Sequence, residues 1–335
     1  MRRRILPLAV NAVGCIAVAS IATAAALHFE HKNGAIPSPF HETAPPSPLT
    51  YLGVYEPSSP HSYSGVERFS QLVGFRPNIA LYYGSWFEPF QLGFAREAEA
   101  HHAIPMVQVE PSNFALGAIA SGNSDAYIRT YARMVRSFGR PVIISFGHEM
   151  NADWYGWGYH HTSPRVFIAA WRHIYQVFAQ QRADNVKWLW TVNVVGGPNV
   201  SSVQEWWPGA AYVTWVGIDG HYFTPSIRFA SLFGSTLGQV RQITGDPVLI
   251  SEAGIAPFVN TDRIADLFFG AEVHDLLGVV WFDVAGHNLR IEGNPKAIAE
   301  FRLALGAYVT HAKKRSPTDT NTSASVTSLG YRDTG

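Results

Sequence analysis

Cysteine is nearly missing from this sequence. The only one among 335 residues is Cys15, so no disulfide framework within the chain can staple the fold, and stability has to come from the size of the core. Charge is scarce too: Asp, Glu, Lys and Arg make up 15% of the residues, against roughly 25% in an average globular chain. The 25 basic and 25 acidic residues cancel, and no basic stripe follows Arg2, Arg3 and Arg4, which excludes the electrostatic footprint of a nucleic-acid binder. No Gly-rich phosphate turn follows an early strand pattern, so a nucleotide site has no support. What is abundant is apolar and aromatic: 47% hydrophobic residues and 13% rings, enough for a large core with rings left over to line a cleft.

The two ends read differently from the middle. Met1-Arg-Arg-Arg4 followed by the apolar run Ile5 to Leu27 has the pattern of a targeting segment, with small-residue cleavage sites at Ala22-Thr-Ala24 and Ala24-Ala-Ala26. The run is also long enough to span a bilayer as an uncleaved signal anchor, and Cys15 inside it leaves a lipoprotein signal as a further alternative. The expectation is therefore a protein that is secreted, or extracytoplasmic and anchored through residues 1–27. Residues 28–49 carry Pro37, Pro39, Pro45, Pro46 and Pro48 and read as an extended linker. Residues 313–335, rich in Ser and Thr and without apolar periodicity, read as a disordered tail.

Between 50 and 312, short apolar runs alternate with helical patterns. Strand candidates are 51–55, 79–83, 105–109, 142–146, 186–192, 213–218, 248–250 and 279–282. Amphipathic periodicity is clearest at Tyr127, Tyr131, Met134 and Phe138, and again at Phe167, Trp171, Ile174 and Phe178. Eight strand and helix pairs in one domain predict an α/β fold, the (β/α)8 TIM barrel, whose usual length is about 250 residues. An open, doubly wound sheet is the alternative.

One stretch organises the rest. Pro141-Val-Ile-Ile-Ser-Phe146 reads as a strand buried on both faces. His148, Glu149 and Asn151 stand where that strand must end, and a loop with Trp154, Tyr155, Trp157 and Tyr159 follows. In a barrel the strand C-termini form the rim that carries chemistry. Polar and aromatic residues at those ends are Glu110, His148, Glu149, Asn193, Asp219, His221, Tyr222, Glu252, Trp281 and Asp283, with Trp86 in the loop after the second strand. Glu149 and Glu252 would face each other across the mouth. Paired carboxylates walled by rings are what glycoside hydrolysis needs: a protonated acid for the leaving oxygen and an ionised partner for the anomeric carbon.

Several motifs in order, Phe146-Gly-His-Glu-Met-Asn-Ala-Asp-Trp-Tyr-Gly-Trp-Gly158, Ala170-Trp-Arg-His173, Trp188-Leu-Trp-Thr-Val-Asn193, Trp215-Val-Gly-Ile-Asp-Gly220, Ser251-Glu-Ala-Gly254 and Trp281-Phe-Asp283, resemble glycoside hydrolase family 26 over about residues 50–310. The resemblance implies a β-mannanase-like enzyme of the retaining (β/α)8 clan, with glucan- or xylan-cleaving relatives on the same scaffold. It implies Glu149 as acid/base, Glu252 as nucleophile, His148 beside the acid/base, and Trp154 and Trp281 as sugar-stacking walls. The family commonly has tyrosine where this chain has His221, with Tyr222 next. Either His221 takes over the contact to the nucleophile, or a bulge turns Tyr222 inward. A retaining pair should lie about 5 to 5.5 Å apart.

Bland readings stand beside these. Glu110 serves equally well as ligand contact or structural pair, and Trp86 as platform or core. The His148–Glu149 pair lacks a second histidine at zincin spacing, so no metal is expected. No cofactor is expected either, and His101, His102, His160 and His161 read as surface residues. The partner expected is a β-linked polysaccharide or oligosaccharide, with no nucleic acid, membrane contact only through an uncleaved leader, and a monomeric state. The competing class is a barrel that binds polysaccharide without cleaving it, against which the two intact glutamates speak.

Overall fold

The computed structural model describes residues 50–315 apart from 257, 258, 260 and 286–288. The chain divides into two units, Met1–Pro37 and Ser38–Gly335, and every described residue belongs to the second. The leader and linker expected over residues 1–49 lie outside the described residues, as does the expected tail beyond 315.

Eight parallel strands close into a barrel: β1 (Tyr51–Tyr55), β2 (Ile79–Ser85), β3 (Ile104–Glu110), β4 (Val142–Phe146), β5 (Val186–Asn193), β6 (Trp215–Tyr222), β7 (Val248–Ile255) and β8 (Gly278–Phe282). The ring closes where β1 pairs with β8, Tyr51 opposite Gly278 and Tyr55 opposite Phe282. The helices are α1 (Ser64–Val73), α2 (Leu92–Ala100), α3 (Leu116–Ala120), α4 (Asp125–Phe138), α5 (Pro164–Gln180), α6 (Phe229–Ile243), α7 (Asp262–Val273) and α8 (Pro295–Arg315). This is a single (β/α)8 domain, with β3 followed by two helices. Helix α8 runs into the start of the stretch read as tail. Strands β6 and β7 extend through Asp219, His221 and Glu252, which had been placed just beyond strand ends. Ladder partners on both sides let polar residues continue an extended backbone that their own propensity would not sustain.

Side chains alternate along each strand, and the inward set changes character towards the C-terminal rim. Ile79, Leu81, Met106, Ile143, Leu189, Trp215, Leu249 and Val280 fill the lower barrel. Two residues further along come Gln108, Ser145, Thr191, Gly217 and Ser251, of which the four with side chains are fully buried. Ser145 Oγ donates to Thr191 Oγ1 at 2.9 Å. Gly217 is there for space: an added Cβ would come within 2.5 Å of Ser251 Oγ and 2.6 Å of Thr191 Oγ1. The next step up brings Tyr83, Glu110, Asn193 and Asp219, with His221 one step higher on β6, and the mouth is polar by construction. The outward set packs under the helices, for example Phe146 against Phe167 and Trp171 of α5.

Just beyond the ends of β1 and β8, Glu56 and Asp283 are buried side by side. Arg68 and Arg290 approach Glu56 Oε2 at 3.7 and 3.6 Å, both also hold Glu292, and Asp283 Oδ1 accepts the Ile291 N–H at 2.8 Å. Burial, then the hydrogen bond with Asp283, push the Glu56 carboxyl up to about 8. A carboxyl raised in the folded state stabilises the fold fully below its ordinary value of 4.5, and that contribution is lost as pH rises through the folded value. We therefore expect the melting temperature to fall between about pH 5 and 9, and to fall less in Glu56→Gln, whose amide fills the same space and cannot ionise. Equal slopes for the two proteins, followed by circular dichroism, would refute this account.

Candidate active site

Two departures from regular backbone set the mouth. The first follows β4. Gly147 and Glu149 both adopt left-handed conformations, φ +55° and +54°, on either side of the buried His148. Gly147 needs its missing side chain, because an added Cβ would lie 3.1 Å from the Phe167 ring and 3.2 Å from Trp157. For glutamate the left-handed region costs of order 1 kcal/mol or more. Backbone bonds offset it: the Glu149 N–H donates to the Thr191 carbonyl and its carbonyl accepts from Ala152, both at 2.9 Å. The second departure is in β7. Ile250 pairs with Val279 but Ala253 with Trp281, so β7 carries one more residue than β8 over that interval. This bulge turns both Ser251 and Glu252 to the barrel interior. Ser251 Oγ donates to Asp219 Oδ1, and Glu252 reaches the mouth.

Each glutamate is held by donors from different strands. Trp154 Nε1 and Asn193 Nδ2 donate to the two oxygens of Glu149, each at 2.6 Å. Asn151 fixes Asn193 in turn: its Nδ2 donates to the Asn193 carbonyl and its Oδ1 accepts the Asn193 N–H, both at 2.8 Å. Glu252 Oε1 accepts from the Tyr83 hydroxyl and, at 3.4 Å, from Gln108 Nε2. His221 Nε2 stands 3.9 Å from Glu252 Oε2.

The electrostatics follow from burial. Glu149 and Glu252 are 7% and 5% exposed, and desolvation raises both carboxyls. Glu252 is pushed up to about 8, first by burial and then by the charge of Glu149, with Tyr83 and Gln108 pulling it back. The repulsion vanishes once Glu149 takes a proton, so the pair favours holding one proton between them. Asp219, fully buried below, is raised well above its ordinary range by burial and by both glutamates. His148 is lowered to about 3 by burial and is therefore neutral. Its Nε2 meets the Tyr155 hydroxyl at 3.1 Å, and its ring meets Tyr83 edge-on.

Of the residues expected at this site, the fold brings Glu149, Glu252, His148, Trp154, Asn193, Asp219 and His221 together, with Glu110 at its edge. Trp154 is half-exposed beside Glu149. Three expectations need correction. Trp281 is not a sugar wall: it is fully buried on the outer face of β8, edge-on against Phe301 of α8. Strand alternation turns Phe282 inward instead, where it stacks on Tyr55 and meets His221. Trp86 is core, 7% exposed and packed among Phe114, Tyr127 and Phe146. Tyr222 points outward from β6, its hydroxyl 3.3 Å from Asp266 Oδ2. No bulge turns it in, and His221 occupies the inward position. Sequence reasoning missed Gln108, Phe282 and, above all, Tyr83. It sits in an apolar run that reads as ordinary strand, and only its inward parity, two residues after Leu81, pointed to the mouth.

A sequence model described as Glycosyl hydrolase family 26 matches residues 125–253, a span that holds both glutamates. Endoglucanase H of Acetivibrio thermocellus is 27% identical over 273 residues, covering 76% of this chain and 30% of that protein. The chain thus spans less than a third of that relative's length. Beta-1,3-xylanase TXYA of a Vibrio species is 32% identical over 108 residues, 32% of this chain and 22% of that protein. Among solved structures, an endo-beta-1,4-mannanase double mutant from Cellulomonas fimi superposes with a TM-score of 0.62 at 15% identity, covering 77% of this chain and 70% of that chain, a likeness of fold. The matched span, the closed barrel and the order of the motifs agree in likening the chain to glycosyl hydrolase family 26.

Proposed function

We propose that the chain is a retaining hydrolase of β-linked polysaccharide, with β-1,4-mannan as its first substrate and Glu149 and Glu252 as its catalytic residues. The observation that carries the reading is the meeting of two buried carboxyls from β4 and β7 at one barrel mouth, each raised by burial and each held by fixed donors. Glu252, ionised and held by Tyr83, attacks the anomeric carbon. Glu149, carrying the proton of the pair, gives it to the leaving oxygen. The ionised Glu149 then takes a proton from the water that releases the glycosyl enzyme. Trp154 offers a ring face where the leaving sugar departs. Neutral His148 buttresses Tyr83 without adding a competing charge. A β-glucan is the second reading, favoured by the similarity to Endoglucanase H over most of the barrel and by His221 in place of the family's tyrosine. Reducing-sugar release from mannan, mixed-linkage glucan and β-1,3-xylan decides among the polymers. Binding to all three without release would remove the catalytic reading.

Two mutations test the roles. Glu149→Ala should lower kcat on polymer by about 10²- to 10⁴-fold, with far smaller losses on aryl glycosides that carry good leaving groups. Azide should restore turnover there and yield the β-glycosyl azide, and the alkaline fall of activity, set by loss of the proton whose affinity burial raises on Glu149, should disappear. Equal losses on both kinds of substrate would exclude Glu149 as acid/base. Tyr83→Phe removes a hydrogen bond to a charged group, which is worth about 1.5–3 kcal/mol. The expected loss is about 10- to 100-fold in kcat, with little change in KM. The bond favours ionised Glu252, so losing it should move the acid limb of kcat/KM to higher pH; an unmoved limb would reduce Tyr83 to packing.

A further inference from the structure

Away from the two glutamates, the flank between α1 and the end of α2 holds a separate cavity of about 220 Å³. One stripe of α1 and its N-cap supplies Tyr63, Glu67, Ser70 and Gln71. The segment entering β2 supplies Arg76 and Pro77, and His101 caps the C-terminal end of α2. Segments that lead into strands lie on the rim opposite the chemistry, where residues ordinarily serve stability. Stability does not account for the polar groups gathered here. Tyr63 is 5% exposed, and its hydroxyl has no hydrogen-bond partner among the described residues. Burial, then the charge of Glu67, push that phenol up to about 12, with Arg76 pulling it back. The hydroxyl therefore lies towards the two charged groups that wall the cavity. A buried hydroxyl without a partner is destabilising until something supplies one. Arg76 is exposed and has no hydrogen bond or ion pair among the described residues, and Glu67 Oε1 meets His101 Nε2 at 3.3 Å. The His101 ring lies parallel to Tyr63 with centroids 4.6 Å apart and leaves 38% of its side chain exposed, so a flat ring beside Pro77 forms the apolar wall. One guanidinium and one carboxylate cancel, so a ligand of either charge meets its like. Two hydroxyls and a carboxamide both give and accept hydrogen bonds, which suits a neutral ligand with several hydroxyls and an apolar ring face.

We propose that this flank cavity is a second saccharide site, separate from the catalytic mouth, which takes a neutral pyranose unit of a β-linked polysaccharide and holds the enzyme on the polymer between cuts. The pyranose lays its C–H face against His101 and Pro77. Its hydroxyls accept from Tyr63 and Arg76 and exchange hydrogen bonds with Gln71 and Ser70. A disaccharide is too short to reach both the flank and the mouth, so only a polymer gains from the second contact. The identity of the polymer rests on the hydrolase reading, and the test separates the two.

The wild type is compared with Gln71→Ala/Arg76→Ala, whose positions are exposed, and with the conservative Tyr63→Phe. On aryl β-disaccharides, which fill only the mouth, kcat/KM should stay within about twofold in both variants. On soluble β-1,4-mannan and mixed-linkage β-glucan, KM should rise about five- to tenfold in the double variant and about threefold in Tyr63→Phe, with kcat kept. Affinity electrophoresis on the same polymers, with Glu252→Ala to stop digestion, should show retardation that adding Gln71→Ala/Arg76→Ala weakens by a similar factor. A polymer KM or a retardation unchanged in the double variant would overturn the proposal and leave a solvated groove. Losses of equal size on disaccharide and polymer would overturn it as well, because the substitutions would then act through the fold. Retardation that depends on Gln71 and Arg76, with no sugar released by the wild type from polymer or aryl glycoside, would remove the hydrolase reading and keep the flank site.

Discussion

Two acids buried within electrostatic reach of each other cannot both be ionised without cost, and that constraint runs through the whole rim of this barrel. Carboxylates taken out of water have to be neutralised, paired with cations or surrounded by donors. No arginine or lysine approaches Glu149 or Glu252 among the described residues. The donors are instead uncharged and fixed: an indole, a carboxamide, a phenol and a second carboxamide, from the β4–α5 loop, β5, β2 and β3 respectively. Uncharged donors stabilise an anion less than a cation would. The pair can therefore keep one proton and move it, where an arginine would hold both acids ionised. The nearest titratable neighbours fit that arrangement, with His148 held neutral and Asp219 raised by burial.

The backbone departs from regularity where the two acids need it. A strand buried on both faces points each successive residue in or out, and neither Glu149 nor Glu252 is delivered by simple alternation. The left-handed turn at Gly147 and Glu149 reverses the chain over the end of β4, and the extra residue in β7 presents Ser251 and Glu252 to the same side. Each irregularity is held by bonds to neighbouring strands. Local strain is thus stored at the site and balanced by the ladder around it.

The fold was legible because eight apolar runs alternating with amphipathic helices leave few other architectures, and the two glutamates because their motifs are specific. Which of two adjacent residues faces inward was not. Trp281 and Phe282 are both aromatic, in a strand with apolar surroundings on either face, and only the register against Val54 and Tyr55 decides between them. His221 and Tyr222 pose the same question, and β6 answers it by ordinary alternation. Tyr83 escaped notice for the opposite reason: a tyrosine inside an apolar run looks like core until closure of the ring carries its hydroxyl to an acid 169 positions away.

Beneath the two glutamates the barrel is plugged. Gln108, Ser145, Thr191, Asp219 and Ser251 are buried to the last atom or nearly so, and a solid hydrocarbon floor underlies them. Such a pocket is closed from below. Under the hydrolytic reading, the water that ends each turnover comes in at the rim, the side on which the severed sugar also leaves. A second saccharide waiting at that threshold would compete with water for the same intermediate, which gives the closed floor a say in whether a cut chain is released or joined to another.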